Sequence, residues 1–572
     1  MSLEFISRDE NEVVIVTNVY GDFCVRKARR KRQKLLVQEL MLDYANNTTL
    51  HGLPYITRKG VTLVEKIFWV ITFIASVSMC LFLISKVWLK WKTSPVIVTV
   101  NEHLVPVGKV PFPSVTICPQ SKCMTNVYNY TAVTMKLKEI SENNNITINE
   151  TLREEIAMYD DVSRICGLER QKLFYLSDQL FENNLSDASV VRHLHEVAPK
   201  RYDFLDGCHV HGEPMSCYDL FQEVLTKEGV CYNMNSLPAD EILRNENLQQ
   251  EYKYLSTRKN ISGWSIVNGY TPHLKYYYPL PGSENGEYPD VEIELFHYSR
   301  YRDKLCNGDK SGFKVYIHHP ADLPQSSLYY YAVLHDQVSS MALSLSYINT
   351  SDSLKKYDAE TLQCYFPDER YLRYFKIYTA NNCKIECISN MTYKICNCVE
   401  FYMPHDNSST LCTARDALCV SWAQEKVLEQ ESDVQTAKCH CLPSCTSAID
   451  YEAEILKTAY HKSRVIKMTA TVENNSFYFK NTDIFNKLTF SKLEIYFKKS
   501  RFVSMRRSEL FGVTDFLANC GGLLGLFLGF SFLSLVEIFY FLTLRLCCTL
   551  KKDLEEEKAI ASLDKPDHIK KY

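Results

Sequence analysis

Little in this sequence points to catalysis. No P-loop, nucleophile elbow or Glu-bearing zinc helix occurs in it, and each of those chemistries needs its residues at a fixed spacing. Two histidine pairs, His209 with His211 in "CHVHG" and His318 with His319 in "HHP", lack the partners that a metal or nucleophile site requires. They read as solvated or strand residues, so the expectation is no enzyme, no bound metal and no cofactor. An excess of charge is missing as well. The 65 Lys and Arg against 68 Asp and Glu leave a formal net charge of -3, which gives no whole-chain attraction to nucleic acid. No fixed-period repeat is visible, which excludes a solenoid or a propeller. Disorder is excluded by an apolar content of 46% with 12% aromatics, enough for substantial cores.

Cysteine is scarce at both ends. Only Cys24 and Cys80 precede Cys118, and only Cys520, Cys547 and Cys548 follow Cys445, so 17 of the 22 lie between those limits. Nine N-x-S/T sequons fall in or just beyond the same stretch, at Asn129, Asn145, Asn149, Asn184, Asn260, Asn349, Asn390, Asn407 and Asn474. A single sequon carries little weight, but the coincidence with the cysteines places the middle of the chain in an oxidising, extracellular compartment. Seventeen is odd, so at least one of these cysteines stays free or pairs between chains.

Long apolar runs are few, and there are two. Ile67 to Ser85 holds 19 residues without a charge, close to the ~20 a helix needs to cross hydrocarbon. It begins too late for a signal peptide and shows no processing site. The second run, about Phe516 to Leu544, carries Glu537 as its only charge. Two crossings put both termini on one side. The basic run Arg26 to Lys34, with Arg58, Lys59 and Lys66, assigns that side to the cytosol. Lys86, Lys90, Lys92, Arg506 and Arg507 argue the other way, but long ectodomains translocate largely regardless of charge. The basic run reads as a topology determinant or an anionic-lipid contact rather than a nucleic-acid site. On this plan the sequons at Asn46 and Asn47 are cytosolic and unused.

The expected organisation is a cytosolic region over 1–66 and a first transmembrane helix over 67–91. A cysteine-rich extracellular domain over 92–508, a second transmembrane helix over 509–545 and a cytosolic tail over 546–572 follow. Alternation in "KLEIYF", with Leu493, Ile495 and Phe497 on one face, beside helix-compatible "NETLREEIAMYDDV" from Asn149, predicts an α+β ectodomain. "FPSVTICP", Phe112 to Pro119, reads as a strand that its prolines confine to an edge or an end position. The cysteines Cys383, Cys387, Cys396 and Cys398, followed by Cys439, Cys441 and Cys445 in "CHCLPSC", have spacings that suit zinc or disulfides. The compartment favours a ladder of disulfides, each contributing about 2 to 4 kcal/mol.

Gly521, Gly525 and Gly529 recur every fourth residue of the second run, forming one slowly drifting stripe on a helix. Close helix packing of the GxxxG kind accounts for the glycines. It leaves Ser531, Ser534 and Glu537 unexplained, because a carboxylate at membrane depth is costly and faces a partner or water. A pore accommodates all of them: carbonyls and a hydroxyl at Gly529, Phe530 and Ser531 would meet a partly dehydrated cation, and Glu537 would concentrate cations.

The ordered set "HGLPYI", "FPSVTICP", "GVCYNMNS", "GFKVYIHHP", "CKIECISNMTYKICNCVEFYMP", "CLPSC" and "GGLLGLFLGFSFLSLVEIFYF" resembles the degenerin/epithelial sodium channel family, most closely its insect pickpocket branch. The resemblance runs from about His51 to Arg545. It implies a membrane protein with two transmembrane helices flanking a large disulfide-rich α+β extracellular domain, hand-like with palm, finger and thumb. It further implies a trimeric, voltage-independent, amiloride-blocked sodium channel in the plasma membrane. Partners would be related channel subunits, in a homo- or heterotrimer, and the lipid bilayer, with sodium as the permeant ion and an extracellular ligand of unknown kind. His51 and Gly52 match the cytosolic gating motif, and Gly529, Phe530 and Ser531 the selectivity filter. Ala518, beside Asn519, matches the small residue whose enlargement holds the gate open, and Gly525, Ser534 and Glu537 line the same pore. Phe530 stands where many relatives have Ala or Ser, and Tyr540 replaces a second inner acidic residue. The disulfide candidates are Cys118, Cys208, Cys217, Cys231, Cys364, Cys383, Cys387, Cys396, Cys398, Cys412, Cys419, Cys439, Cys441 and Cys445. A two-span receptor that does not conduct, or an accessory subunit, remains the alternative; an ATP-gated channel of like topology has different cysteine motifs.

Overall fold

The computed structural model describes residues 35–563 apart from 59, 94–95, 143–148, 167–186, 250–253, 256–261, 274–276, 284–287, 299–300, 304, 307–309, 326–328, 414–415, 433–438, 447 and 463–487. The sequons at Asn145, Asn184, Asn260 and Asn474, Cys24, Lys59 and the basic run Arg26 to Lys34 lie outside the described residues. The chain divides into two compact units, one formed by 1–96 with 509–572 and the other by 97–508.

In the first unit, residues 35–47 are helical, followed by α1 (Leu53–Thr57) and α2 (Leu63–Thr93). The second unit opens with strands β1 (Val96–Pro106) and β2 (Ser114–Pro119) and helices α3 (Tyr130–Glu142), α4 (Glu150–Ser163) and α5 (Asp187–Val197). Strands β3 (Leu205–Val210), β4 (Glu213–Met215), β5 (Phe221–Thr226), β6 (Gly229–Met234), β7 (Trp264–Ser265), β8 (Gly269–Tyr270), β9 (Val291–Tyr298), β10 (Phe313–His318), β11 (Tyr331–Val333) and β12 (Gln337–Thr350) come next. Helices α6 (Ala380–Cys396) and α7 (Ala417–Ser432) precede β13 (Ala448–Ala459), β14 (Leu488–Phe497) and β15 (Arg501–Glu509). The first unit then resumes with α8 (Val513–Leu528), α9 (Phe532–Tyr540) and α10 (Leu546–Leu563), with a π-helical stretch at Phe541–Arg545 between the last two.

Two sheets form the frame of the second unit. The larger, eight-stranded one runs β1-β15-β12-β14-β9-β3-β4, with β13 also on β12. Strand β12 is its axis. One side pairs antiparallel with β13 along twelve residues, and the other pairs parallel first with β14 through Val338–Leu343 and then with β15 through Tyr347–Thr350. In β14, Leu493 and Ile495 are fully buried while Lys492 and Glu494, which alternate with them, are not, the period-2 pattern that the sequence carries.

The smaller sheet, β11-β10-β2-β6-β5, joins three motifs that are far apart in sequence: β2 from "FPSVTICP" pairs with β10 from "GFKVYIHHP" and with β6 from "GVCYNMNS". β2 is therefore an interior strand, buried along its whole length, and not an edge. Its prolines sit before the strand and at its last position, where a missing N–H breaks no central rung. The hydroxyls of Ser114 and Thr116 are fully buried in β2 and donate to Asn233 Oδ1 on β6 at 2.7 and 3.0 Å, which removes the cost of burying them.

All fourteen candidate cysteines are paired: Cys118–Cys231, Cys208–Cys217, Cys364–Cys445, Cys383–Cys441, Cys387–Cys439, Cys396–Cys419 and Cys398–Cys412. An eighth bridge, Cys166–Cys306, joins two cysteines absent from that set; neither sits in a recognisable motif. The odd cysteine between Cys118 and Cys445 is Cys123, a free thiol at 1% exposure and so out of reach of a partner chain. Along α6, Cys383 and Cys387 share one face because four residues make just over one turn, and they are spaced by the rise of about 6 Å. The two-residue step from Cys439 to Cys441 spans up to ~7 Å, so the bridges form consecutive rungs running in opposite directions. The one grouping of potential metal ligands among the described residues, Cys398, Cys412 and Asp416, already has its two sulfurs in a bridge, which leaves no thiolate for zinc.

Of the described sequons in this unit, Asn129, Asn149, Asn349, Asn390 and Asn407 are all exposed. Asn149 also caps α4, its Oδ1 accepting the Leu152 N–H at 2.9 Å, which satisfies one of the helix's free donors.

Of the histidine pair at the end of β10, His318 is a half-buried strand residue and His319, just beyond the strand, is buried rather than solvated. Burial pushes His318 down to about 4 and, with His318 beside it, His319 down to about 3, while burial raises Asp322 to about 6. Folded-state imidazoles that resist protonation contribute stability present above pH ~6.5 and lost as pH falls toward 4, roughly 3 kcal/mol for His318 alone. Asp322 acts oppositely, since the folded state takes its proton first and gains stability as pH falls from 6 toward ~4. The melting temperature of the solubilised full-length protein is expected to fall between pH 6.5 and 5, and Asp322→Asn to steepen that fall. A wild-type protein that becomes more stable across this window would contradict the assignment.

Candidate functional site

The site lies in the first unit, where the second apolar run is not one helix. α8 ends at Leu528 because Gly529 adopts φ +66°, a left-handed cap that suits glycine. The chain restarts at Ser531, which caps α9: Ser531 Oγ accepts the Ser534 N–H at 3.2 Å, and Ser534 Oγ accepts the Ser531 N–H at 3.0 Å. The continuous transmembrane helix expected over 509–545 is thus broken at Gly529–Ser531. Hydropathy registers only that a stretch is apolar, and this stretch holds its own C-cap and N-cap. By length and composition, Leu63–Thr93 and the helical run Phe532–Glu556 are each sufficient to cross a membrane, and Val513–Leu528 is a shorter apolar helix.

A helix that stops in an apolar setting leaves carbonyls without donors. Here three of the last four, those of Gly525, Phe527 and Leu528, have named partners, and so does Leu524 O one residue earlier. Gly525 O accepts the Gly529 N–H at 2.9 Å and Leu524 O the Phe530 N–H at 3.3 Å. Phe527 O accepts the Ser76 hydroxyl of α2 at 2.8 Å, and Leu528 O accepts the His51 backbone N–H at 2.9 Å. The His51-Gly52 pair therefore lies against the break. Gly52, at φ +91°, turns the chain into α1, and a Cβ on Gly529 would lie 2.6 Å from His51 Nδ1. Gly529 is glycine for two reasons, its backbone conformation and the imidazole beside it.

The stretch before His51 continues along the second run in the opposite direction. Thr49 Oγ1 is 2.7 Å from Ser534 Oγ and 3.3 Å from Glu537 Oε2, and the Thr49 N–H reaches the same carboxylate at 3.4 Å. Tyr44 meets Phe541 edge-on at 5.3 Å, and Asp43 lies 3.8 Å from Arg545. Ser534 is fully buried in this cluster.

The structure thus brings together His51, Gly529, Phe530, Ser531, Ser534 and Glu537. Ala518 and Asn519 lie a few turns away on α8, both exposed, with Asn519 Nδ2 donating to Asp515 O at 2.8 Å. Gly521 and Gly522 face open space, and the nearest atom to a Cβ on Gly525 would be Phe530 O at 3.8 Å. The glycine stripe holds for Gly521 and Gly525 but not for Gly529, which is no longer helical. Thr49 and Ser76 escape sequence reasoning, since a lone hydroxyl residue in each segment gives no periodic signal. At the other end of α8, Trp91 Nε1 donates to Phe511 O at 3.1 Å, and Trp91 stacks on Phe516 at 5.2 Å.

Fold and site together define a disulfide-rich protein with two candidate membrane spans, the second run interrupted by a polar, hydrogen-bonded break. Residues 44–541 match the family described as "Amiloride-sensitive sodium channel", and the chain belongs to that family. It is 28% identical to "Pickpocket protein 28" of Drosophila melanogaster over 521 residues, 90% of this chain and 79% of the relative. Identity with "Sodium channel protein Nach" of the same fly is 24%, covering 90% and 88% of the two chains. With "Acid-sensing ion channel 1C" of Danio rerio it is 22%, covering 87% and 82%. The family consists of ion channels of the plasma membrane, not enzymes.

Gly529→Ala and Gly525→Ala are expected to act in opposite directions on the stability of the solubilised protein. The first destabilises by about 1 to 2 kcal/mol through the left-handed backbone and the His51 contact; the second stabilises a helix interior by about 1 kcal/mol. His51→Ala is expected to recover part of the first loss. Equal melting shifts for the two alanines would show that the break is not built as described.

Proposed function

We propose that this chain is one subunit of a trimeric, voltage-independent, sodium-selective cation channel, homo- or heteromeric, opened by a ligand, protons or force. In this reading Leu63–Thr93 and the broken run from Val513 onward cross the bilayer, both termini are cytosolic, and the cysteine-rich unit is extracellular. The five exposed sequons and eight disulfides support that orientation.

One observation carries the proposal: the break at Gly529–Ser531, capped on both sides and supplied with donors from two other segments. Irregular backbone at membrane depth persists only against protein or water, and it is where carbonyls and hydroxyls become available to an ion. Around a threefold axis, Gly529, Phe530 and Ser531 form the filter and Glu537 a ring of negative charge behind it. Gly521, with nothing packed on it in the single subunit, and Gly525, with only Phe530 O in van der Waals reach, leave room for neighbouring copies. Ala518, exposed on α8, marks the gate. Phe530 contributes its carbonyl rather than its ring to the permeant ion, so a bulky side chain is compatible with a filter made of backbone.

The test is to express the full chain, confirm surface delivery and record currents under acid, stretch and candidate ligands, with potassium replacing sodium. Ser531→Ala is expected to change the sodium-to-potassium permeability ratio, Glu537→Gln to lower cation conductance, and Ala518→Phe to raise open probability. If Ser531 and Glu537 variants alter assembly alone and leave current untouched, the chain is a non-conducting receptor or accessory subunit.

A further inference from the structure

Four polar groups stand in line beside the helix break. Ser531 Oγ is 3.1 Å from Ser534 Oγ, Ser534 Oγ is 2.7 Å from Thr49 Oγ1, and Thr49 Oγ1 donates to Glu537 Oε2 at 3.3 Å. The last bond has only one direction, because an ionised carboxylate accepts and never donates. With its single proton committed to Glu537, Thr49 accepts from Ser534. With that proton committed, Ser534 in turn accepts from Ser531, whose backbone N–H it also receives at 3.0 Å. Every hydroxyl hydrogen then points toward the carboxylate.

We infer that Thr49 is a specificity-determining residue for the permeant cation: it transmits the charge of Glu537 through Ser534 to Ser531, fixing the Ser531 hydroxyl hydrogen inward so that one oxygen lone pair is left outward. Ser531 is exposed whereas Ser534 is fully buried, so Ser531 is the end of the line that can meet an ion. One of its lone pairs accepts the Ser534 N–H; the other is free for a cation. Chains of aligned hydrogen bonds polarise one another, which makes the terminal oxygen a better ligand than an isolated serine. Without Thr49, nothing sets the direction, and the Ser531 hydrogen can turn toward the ion and repel it.

This inference rests on the channel reading above, and the variants separate the two. In the Ala518→Phe background, Thr49→Val removes the hydroxyl at nearly constant volume and Thr49→Ser keeps it. Thr49→Val is expected to lower the sodium-to-potassium permeability ratio by roughly 2- to 10-fold, the range of one hydrogen bond; Thr49→Ser is expected to restore it. Combined with Ser534→Ala, Thr49→Val should add nothing further, since either change cuts the same line. A Thr49→Val channel with wild-type selectivity, in a protein where Ser531→Ala changes it, overturns the relay and leaves the filter standing. Additive effects of Thr49→Val and Ser534→Ala overturn it equally. Surface-delivered protein that is silent in every background, or indifferent to Ser531→Ala and Glu537→Gln, overturns the channel reading and this one with it.

Discussion

The carbonyls at the end of α8 are the constraint around which the first unit is arranged. A helix interrupted inside an apolar run leaves acceptors that neither its own turns nor apolar surroundings can fully satisfy. Ser76 from α2 and the backbone of His51 supply the missing donors at Phe527 and Leu528. These two bonds fix which part of α2 faces the break and bring the segment before α1 against it. Once His51 is there, Thr49 reaches Ser534 and Glu537, and Gly529 must be free of a side chain.

The N-terminal stretch follows the second run antiparallel from Asp43 beside Arg545 to His51 beside Leu528. Its contacts differ in kind: an exposed ion pair of small worth, an aromatic edge contact, a hydroxyl pair and a backbone hydrogen bond. The weaker ones lie next to the π-helical turn at Phe541–Arg545, the stronger ones next to the break. π-turns recur at functional sites in helices.

In the second unit the physical problem is different. Two sheets supply large cores, in the smaller of which the buried hydroxyls of Ser114 and Thr116 are paired across strands with Asn233, while α6, α7 and the chain around Cys439 have a small core of Val399, Met403 and Val420 with Cys398 and Cys412. Disulfides substitute for apolar area there, as expected where a core is too small to hold its elements. The consecutive rungs at Cys383 and Cys387 use the helix rise itself as a spacer.

Much of this was written in the chain. Apolar runs, sequons and cysteine clustering gave the two candidate spans and the oxidised middle, because each depends on composition over a window. The alternation in β14 and the Asn149 cap are local patterns that short segments carry alone. Three properties depended on the tertiary structure. That "FPSVTICP" is an interior strand is decided by β6 and β10, which are remote in sequence and bring Asn233 to its hydroxyls. Which cysteine remains free is decided by burial at Cys123, since counting yields only an odd number. And Thr49 joins the site only because a broken helix leaves Leu528 in need of a donor and His51 answers, a demand arising from hydrogen bonds between segments almost five hundred residues apart.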